Sequence, residues 1–214
     1  MAPSKMYKLC IALFLLIGLT ALPAKADFIS GVTATSDIGT FGSYDIITLT
    51  NGSGLSELTP TGLHSNNYIT MWMSDEGTTG SLLFDLGSSH ALGNIYIWNY
   101  NSNNGVERGV ATFTLEISDN GVDFDSLLGV TALSMENASG PVAAQVFDLD
   151  GYIGRYVRMS ILSNHGDTSF TGLSEVQFSG TPNAAVPEPA SILLVGLGLV
   201  GAAFAHRAKG SRAA

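Results

Sequence analysis

Two polar loops hold the side chains best suited to chemistry. The first runs Asn99-Tyr100-Asn101-Ser102-Asn103-Asn104-Gly105-Val106-Glu107-Arg108, and the second Ser163-Asn164-His165-Gly166-Asp167. Planar amides, a guanidinium and a carboxylate can hydrogen-bond the paired hydroxyls of a sugar, while a tyrosine ring can stack on the apolar face of a pyranose. Both loops follow strand-like segments whose C-terminal ends can be neighbours. The candidate ligand-binding residues are therefore Tyr100, Asn101, Arg108, His165 and Asp167, with Trp72 and Tyr68 in reserve. The competing reading pairs Arg108 with Glu107 or Asp167 and buries Trp98 in the core.

Catalytic arrangements find little support. His64, His90 and His165 are scattered, and no His-Glu-x-x-His pattern occurs. Gly172-Leu173-Ser174-Glu175-Val176 departs from the nucleophile elbow at its last position. Asp119, Asp123 and Asp125 lack the glycine and glutamate of an EF-hand loop, so Asp119-Asn120-Gly121 reads as a hairpin turn with Phe124 packing inward. Gly196-Leu197-Gly198-Leu199-Val200-Gly201 matches a dinucleotide fingerprint, but it lies in an apolar stretch without the required βαβ unit.

Short alternating segments position these loops. Leu82, Phe84 and Leu86 share one face, as do Phe113, Leu115 and Ile117; Ile95 and Ile97 oppose Tyr96, Trp98 and Tyr100. Further strands are predicted over 144–149, 155–162 and 173–179. Strands at this spacing, without a long amphipathic helix, predict an all-β antiparallel sandwich.

The ordered landmarks Gly80 to Gly87, Ile95 to Asn101, Phe113 to Phe124, Arg155 to Met159 and Leu173 to Phe178 resemble the discoidin, or coagulation-factor C-type, domain of the galactose-binding-like jelly roll. The likeness covers nearly all of 29–180. It implies ligand contacts from loops at one end, frequent carbohydrate binding and often a buried calcium. In that family an early loop and a late glutamate hold the ion. The corresponding residues are Asn51, where the family often has Asp, and Glu175, with Asp45 a second early carboxylate. Hard cations want such oxygen donors.

Both chain ends read as addresses. Lys5 and Lys8, the apolar run Leu9 to Leu22 and Ala24-Lys25-Ala26 predict a signal peptide over 1–26. At the other end Pro187-Glu188-Pro189 precedes the uncharged segment Ala190 to Ala205 and the cations Arg207, Lys209 and Arg212. Sixteen helical residues at about 1.5 Å each span roughly 24 Å, a little less than a bilayer core of about 30 Å. This order resembles the PEP-CTERM sorting signal of Gram-negative bacteria. The resemblance implies a transmembrane sorting helix, processing by a membrane-embedded exosortase, and delivery to the cell surface or extracellular matrix.

The expected organisation is thus a signal peptide, a β-sandwich over 27–180, a linker over 181–186 and a sorting signal over 187–214. Cys10 is the only cysteine, so the exported part has none. Residues 27–185 carry 17 Asp and Glu against Arg108, Arg155 and Arg158, a net charge of −14 with no lysine. That balance excludes nucleic acid as a partner, because phosphate binding relies on Lys and Arg. Together these features predict an exported, non-enzymatic carbohydrate-binding module associated with exopolysaccharide or the surface matrix. A matrix protein that contacts other proteins is the alternative, and a polysaccharide-cleaving enzyme the third reading.

Overall fold

The computed structural model describes residues 27–58, 61–75, 77–137 and 139–183. The signal peptide, the Pro187-Glu188-Pro189 motif and the apolar segment 190–205 lie outside the described residues. Among the described residues no helix is long and apolar enough to cross a membrane.

Nine strands form among the described residues: β1 (Asp27–Phe28), β2 (Thr33–Ser36), β3 (Trp72–Met73), β4 (Gly80–Asn99), β5 (Val110–Ser118), β6 (Asp125–Ala132), β7 (Gln145–Asp148), β8 (Ile153–Asn164) and β9 (Gly172–Pro182). They make an all-β, jelly-roll-like fold, as the alternation predicts. The two predicted segments 81–86 and 94–100 belong to one continuous strand, β4. Its register shifts between Asp85 and His90. Gly87 adopts φ +79° there and its N–H donates to Asp85 Oδ1 at 2.8 Å; glycine reaches that conformation without Cβ strain.

The corner sends β4 into both layers. Its first half pairs with β2 and β8, the latter continuing to β5 and β6. Its second half pairs with β7 and β9, and β9 also carries β1 and β3. Gly80 sits opposite Ile161 and Asn99 opposite Leu173, so both ends of β4 reach the same end of the sandwich. The predicted linker begins inside β9, because Thr181 and Pro182 pair with Ala91 and His90.

Between the layers lies a core that includes Leu82, Phe84, Ile95, Ile97, Phe113, Leu115, Met159 and Phe178. Phe84 and Phe178 meet edge to face at 5.4 Å. Burial of each such side chain contributes about 1.5–3 kcal/mol. The face of β4 that carries Trp98 and Tyr100 is buried too, contrary to simple one-sided alternation. At Trp98 the 61–65 segment covers it: Trp98 Nε1 donates to the Gly62 carbonyl at 2.9 Å.

The β5–β6 hairpin forms where the Asn-Gly turn places it. Asn120 Oδ1 accepts from Val122 and Asp123 N–H at 2.8 and 2.9 Å, and Gly121 has φ +73°. Phe124 corrects the expectation of inward packing. Its ring lies half-buried under the Arg158 guanidinium, 4.0 Å from centroid, and Arg158 also pairs with Glu116. Arginine stacks readily on a ring face while keeping its carboxylate partner.

Candidate functional site

Two asparagines, Asn99 buried and Asn164 half-buried, set the loops at the end where β4 and β8 finish and β5 and β9 begin. Asn99 Oδ1 accepts from Tyr100 and Val110 N–H, both at 2.9 Å, and its Nδ2 donates to the Val110 carbonyl at 2.8 Å. The two stems of the 100–109 loop are thereby tied together. Asn164 Nδ2 donates to the carbonyls of Asp167 and Phe170, both at 2.8 Å, closing the 165–170 loop. An amide carries a donor pair and an acceptor on one plane, so one side chain can replace several ladder bonds.

Arg108 and Asp167 meet between these loops. Arg108 Nε donates to Asp167 Oδ2 at 3.1 Å and Nη1 to the Asn104 carbonyl at 3.2 Å. Asp167 Oδ1 accepts from the N–H groups of Ser169 and Phe170 at 2.8 and 2.9 Å. Burial pushes the Asp167 carboxyl up, but those amides and Arg108 outweigh it and hold it below the ordinary carboxylate range. Both side chains stay partly exposed, at 24% and 20%.

Aromatic rings from distant segments line up beside this pair. Phe170 lies under the Arg108 guanidinium at 5.5 Å and meets Phe41 edge to face at 5.0 Å. Phe41 stands 6.3 Å from Tyr44, and Tyr44 stands 5.4 Å from Tyr68. Phe41 and Tyr68 are 41% and 48% exposed, whereas Phe170 and Tyr44 are half-buried. Asn66 and Asn103 join across the rim, Nδ2 to Oδ1 at 2.7 Å. Apolar faces and planar hydrogen-bonding groups converge here, the composition that fixes small polar ligands in orientation.

The five sequence-predicted ligand residues separate. Arg108 and Asp167 come together on the platform. Tyr100 and Asn101 are instead fully buried, a correction to their expected presentation to a ligand. Asn101 Nδ2 donates to the His64 and Gly140 carbonyls, both at 3.3 Å, and its Oδ1 accepts from Ser174 Oγ at 3.0 Å. The Tyr100 ring packs against Gly172, where a Cβ would approach it to 2.7 Å. Its hydroxyl has no hydrogen-bond partner among the described residues, although it lies beside Arg108, Ser102 and Tyr44. Burial, and secondarily the Tyr44 phenol, push it up to about 12. His165 donates its backbone N–H to the Gly109 carbonyl at 3.0 Å. Its Nε2 is buried without a partner among the described residues.

Of the reserves, Trp72 is buried with Nε1 on the Gly39 carbonyl at 3.2 Å, while Tyr68 reaches the platform. Phe41, Tyr44 and Phe170 escaped the sequence reading. Phe41 and Tyr44 share one short loop, but nothing in that loop signals Phe170 or Tyr68, which lie far away in sequence.

Glu175 forms a second, different arrangement. It is fully buried on β9, and both carboxylate oxygens accept from Gly52 N–H, at 3.0 and 3.2 Å. Gln177 Nε2 reaches Oε1 at 3.4 Å, while Gln177 Oε1 is buried without a partner among the described residues. Burial pushes Glu175 up to about 8, against the lowering effect of Gly52 and Gln177. Asn51 turns away in part: it is exposed, and its Oδ1 accepts from Ser53 N–H at 2.8 Å. Among the described residues no cluster of three or more His, Cys, Asp or Glu side chains forms. The groups that contact the Glu175 carboxylate are the N–H donors of Gly52 and Gln177; a hard cation such as calcium would need oxygens there, and Gln177 Oε1 is an oxygen on one of these same residues, unpartnered among the described residues.

A groove of about 670 Å³ lies elsewhere, between the 28–34 segment and Ile46, Ile47 and Leu58. It presents mostly apolar side chains, with the amides of Asn51 and Gln177 at its wall but no charged group and no exposed aromatic pair beside an ion pair. The platform is the stronger candidate on chemistry.

A family model for the F5/8 type C domain matches residues 35–176. The chain belongs to the F5/8 type C domain family. A second model, for the PEP-CTERM protein-sorting motif, matches residues 185–208. No curated protein sequence matches the chain. Solved structures share the family fold. The fucose-binding module SpX-3 of Streptococcus pneumoniae is 17% identical with a TM-score of 0.51, covering 71% of this chain and 96% of its own. A CBM32 module from a family 31 glycoside hydrolase of Clostridium perfringens is 15% identical with a TM-score of 0.54, covering 73% and 95%. The lectin domain of lectinolysin, solved with Lewis B antigen, is 14% identical with a TM-score of 0.50, covering 70% and 93%.

Proposed function

We propose that this protein is an exported carbohydrate-binding module without catalysis of its own, held in or near the exopolysaccharide of the cell surface. The observation that carries this reading is the row of rings Phe170, Phe41, Tyr44 and Tyr68 beside the Arg108–Asp167 pair. Sugar rings stack on the exposed faces of Phe41 and Tyr68. Nε and Nη1 of Arg108 serve Asp167 and Asn104; its other N–H groups are the donors for sugar hydroxyls, with Asn103 contributing from the rim. The family membership and the carbohydrate-binding modules of similar fold support the same reading.

Export and processing complete it. The sorting motif at 185–208 directs the chain to an exosortase, which removes the tail and leaves the sandwich at the surface of a Gram-negative cell. A single site of this kind binds weakly, and retention arises from many copies meeting a repetitive polymer.

Calcium is part of the proposal. Glu175 would hold it, with Gln177 Oε1 and oxygens of the 51–53 loop as further donors. The ion supplies the positive charge that Glu175 lacks, and thereby fixes the 51–53 loop. The test is retention on immobilised polysaccharides, including the producer's own, with calcium and with chelator. Specific retention that free oligosaccharide displaces is the expected result. Absence of retention on every polysaccharide in both conditions would overturn the proposal.

A further inference from the structure

We infer that the platform takes uncharged glycans and turns away polysaccharides bearing carboxylate or sulfate. This inference rests on the carbohydrate-binding reading above and narrows its ligand class. Its basis is the disposition of cations. The described residues contain no lysine and three arginines, and every one of the three already has a carboxylate partner. Arg155 pairs with Asp85 at 2.8 Å and Arg158 with Glu116 at 2.9 Å, on strands away from the platform. Arg108, the one arginine at the platform, pairs with Asp167 at 3.1 Å and stacks over Phe170.

Carboxylates frame the same loops. Glu107 precedes Arg108 and is exposed, and Asp45 follows Tyr44 and is exposed. Asp75 closes against the segment leading to Phe41, its N–H donating to the Ile38 carbonyl at 3.1 Å. An anionic sugar at the platform would meet these charges at short range. The N–H groups of Arg108 that remain open belong to a cation Asp167 already neutralises, so an anionic sugar bound there sets a second negative charge beside Asp167. Like charges brought together this way weaken association. The net charge of −14 over residues 27–185 adds a repulsion that salt screens beyond about 8 Å. A neutral sugar disturbs none of this, because aromatic stacking and hydroxyl bonds leave the ion pair in place.

The experiment compares matched polymers. The full-length chain, purified in mild detergent, is run by affinity electrophoresis through gels holding a neutral galactan or its sulfated form, and a neutral glucan or a polyuronate. A chelator is present so that no divalent ion bridges the charges. The expected result is retardation by at least one neutral polymer, with affinity for its anionic counterpart lower by about tenfold or more, equivalent to about 1.4 kcal/mol. D167N, which frees Arg108, narrows that gap; E107Q narrows it less and leaves the Arg108–Asp167 pair untouched. Equal or stronger retardation by the anionic polymers overturns the charge rule while leaving glycan binding standing. Retardation by neither neutral polymer, in chelator and again with calcium restored, overturns the charge rule, while the carbohydrate-binding reading is decided by the wider polysaccharide series above.

Discussion

Arg108 and Asp167 at the platform, and Glu175 beneath the 51–53 loop, show two treatments of charge within one end of the same sandwich. Asp167 is half-exposed, accepts two amides and faces a guanidinium, and its carboxyl is held low. Glu175 is buried, faces one backbone N–H and an amide, and its carboxyl is pushed up to about 8. A carboxylate matched by a cation shapes a rigid surface that a neutral ligand can use. A carboxylate left unmatched in the interior must take up either a proton or a metal ion.

The largest expected effect tests the unmatched side. Because the folded value of Glu175 lies above the ordinary carboxylate value of about 4.3, its contribution to stability is fully present below that pH. It is lost as pH rises to about 8, by at most about 5 kcal/mol. Thermal unfolding in chelator at pH 5 and pH 8.5 should show this loss, while E175Q flattens it and calcium restores wild-type stability at the higher pH. A flat profile in wild type would erase the contrast with Asp167.

Asn101→Ala comes next. It removes the bonds to the His64 and Gly140 carbonyls and from the Ser174 hydroxyl, although His64 keeps Val142 N–H and Ser174 keeps the Asn99 carbonyl, a loss of about 1–3 kcal/mol in denaturant unfolding. Glycan affinity of the folded fraction should stay within about twofold. A selective loss of affinity would return Asn101 to the binding surface.

On the platform, Phe41→Ala with Tyr68→Ala should weaken glycan affinity by about 30-fold, as central aromatic contacts do. Stability should fall less than affinity, since the two rings keep 41% and 48% of their surface in solvent. Titration calorimetry with the best-retained oligosaccharide checks it, and unchanged affinity would move the site elsewhere. The smallest effect is expected for Arg108→Lys. It keeps the charge but loses the planar fork, and should weaken binding by about tenfold without changing the preference for neutral polymers.

Much of the architecture was legible before any coordinates. Alternation at Leu82, Phe84 and Leu86 and at Phe113, Leu115 and Ile117 marks inward faces, because a strand turns every second side chain the same way. The Asn120-Gly121 turn was legible because its chemistry is local. Alternation fails at Trp98, Tyr100 and Asn101. Whether the outer face of a strand meets water depends on the covering segment 61–65, which the strand's own residues do not encode. The same limit explains why Phe41, Tyr44 and Phe170 were passed over, whereas the polar residues Arg108 and Asp167 stood out in their own loops.

From the order of residues alone came the strand periodicity, the acidic lysine-free body and the C-terminal sorting motif, all properties of neighbours along the chain. Only tertiary structure decided which loops share one end, which carboxylate finds a cation and which is sealed without one. Those outcomes depend on contacts between segments far apart in sequence, and local pattern carries no information about them.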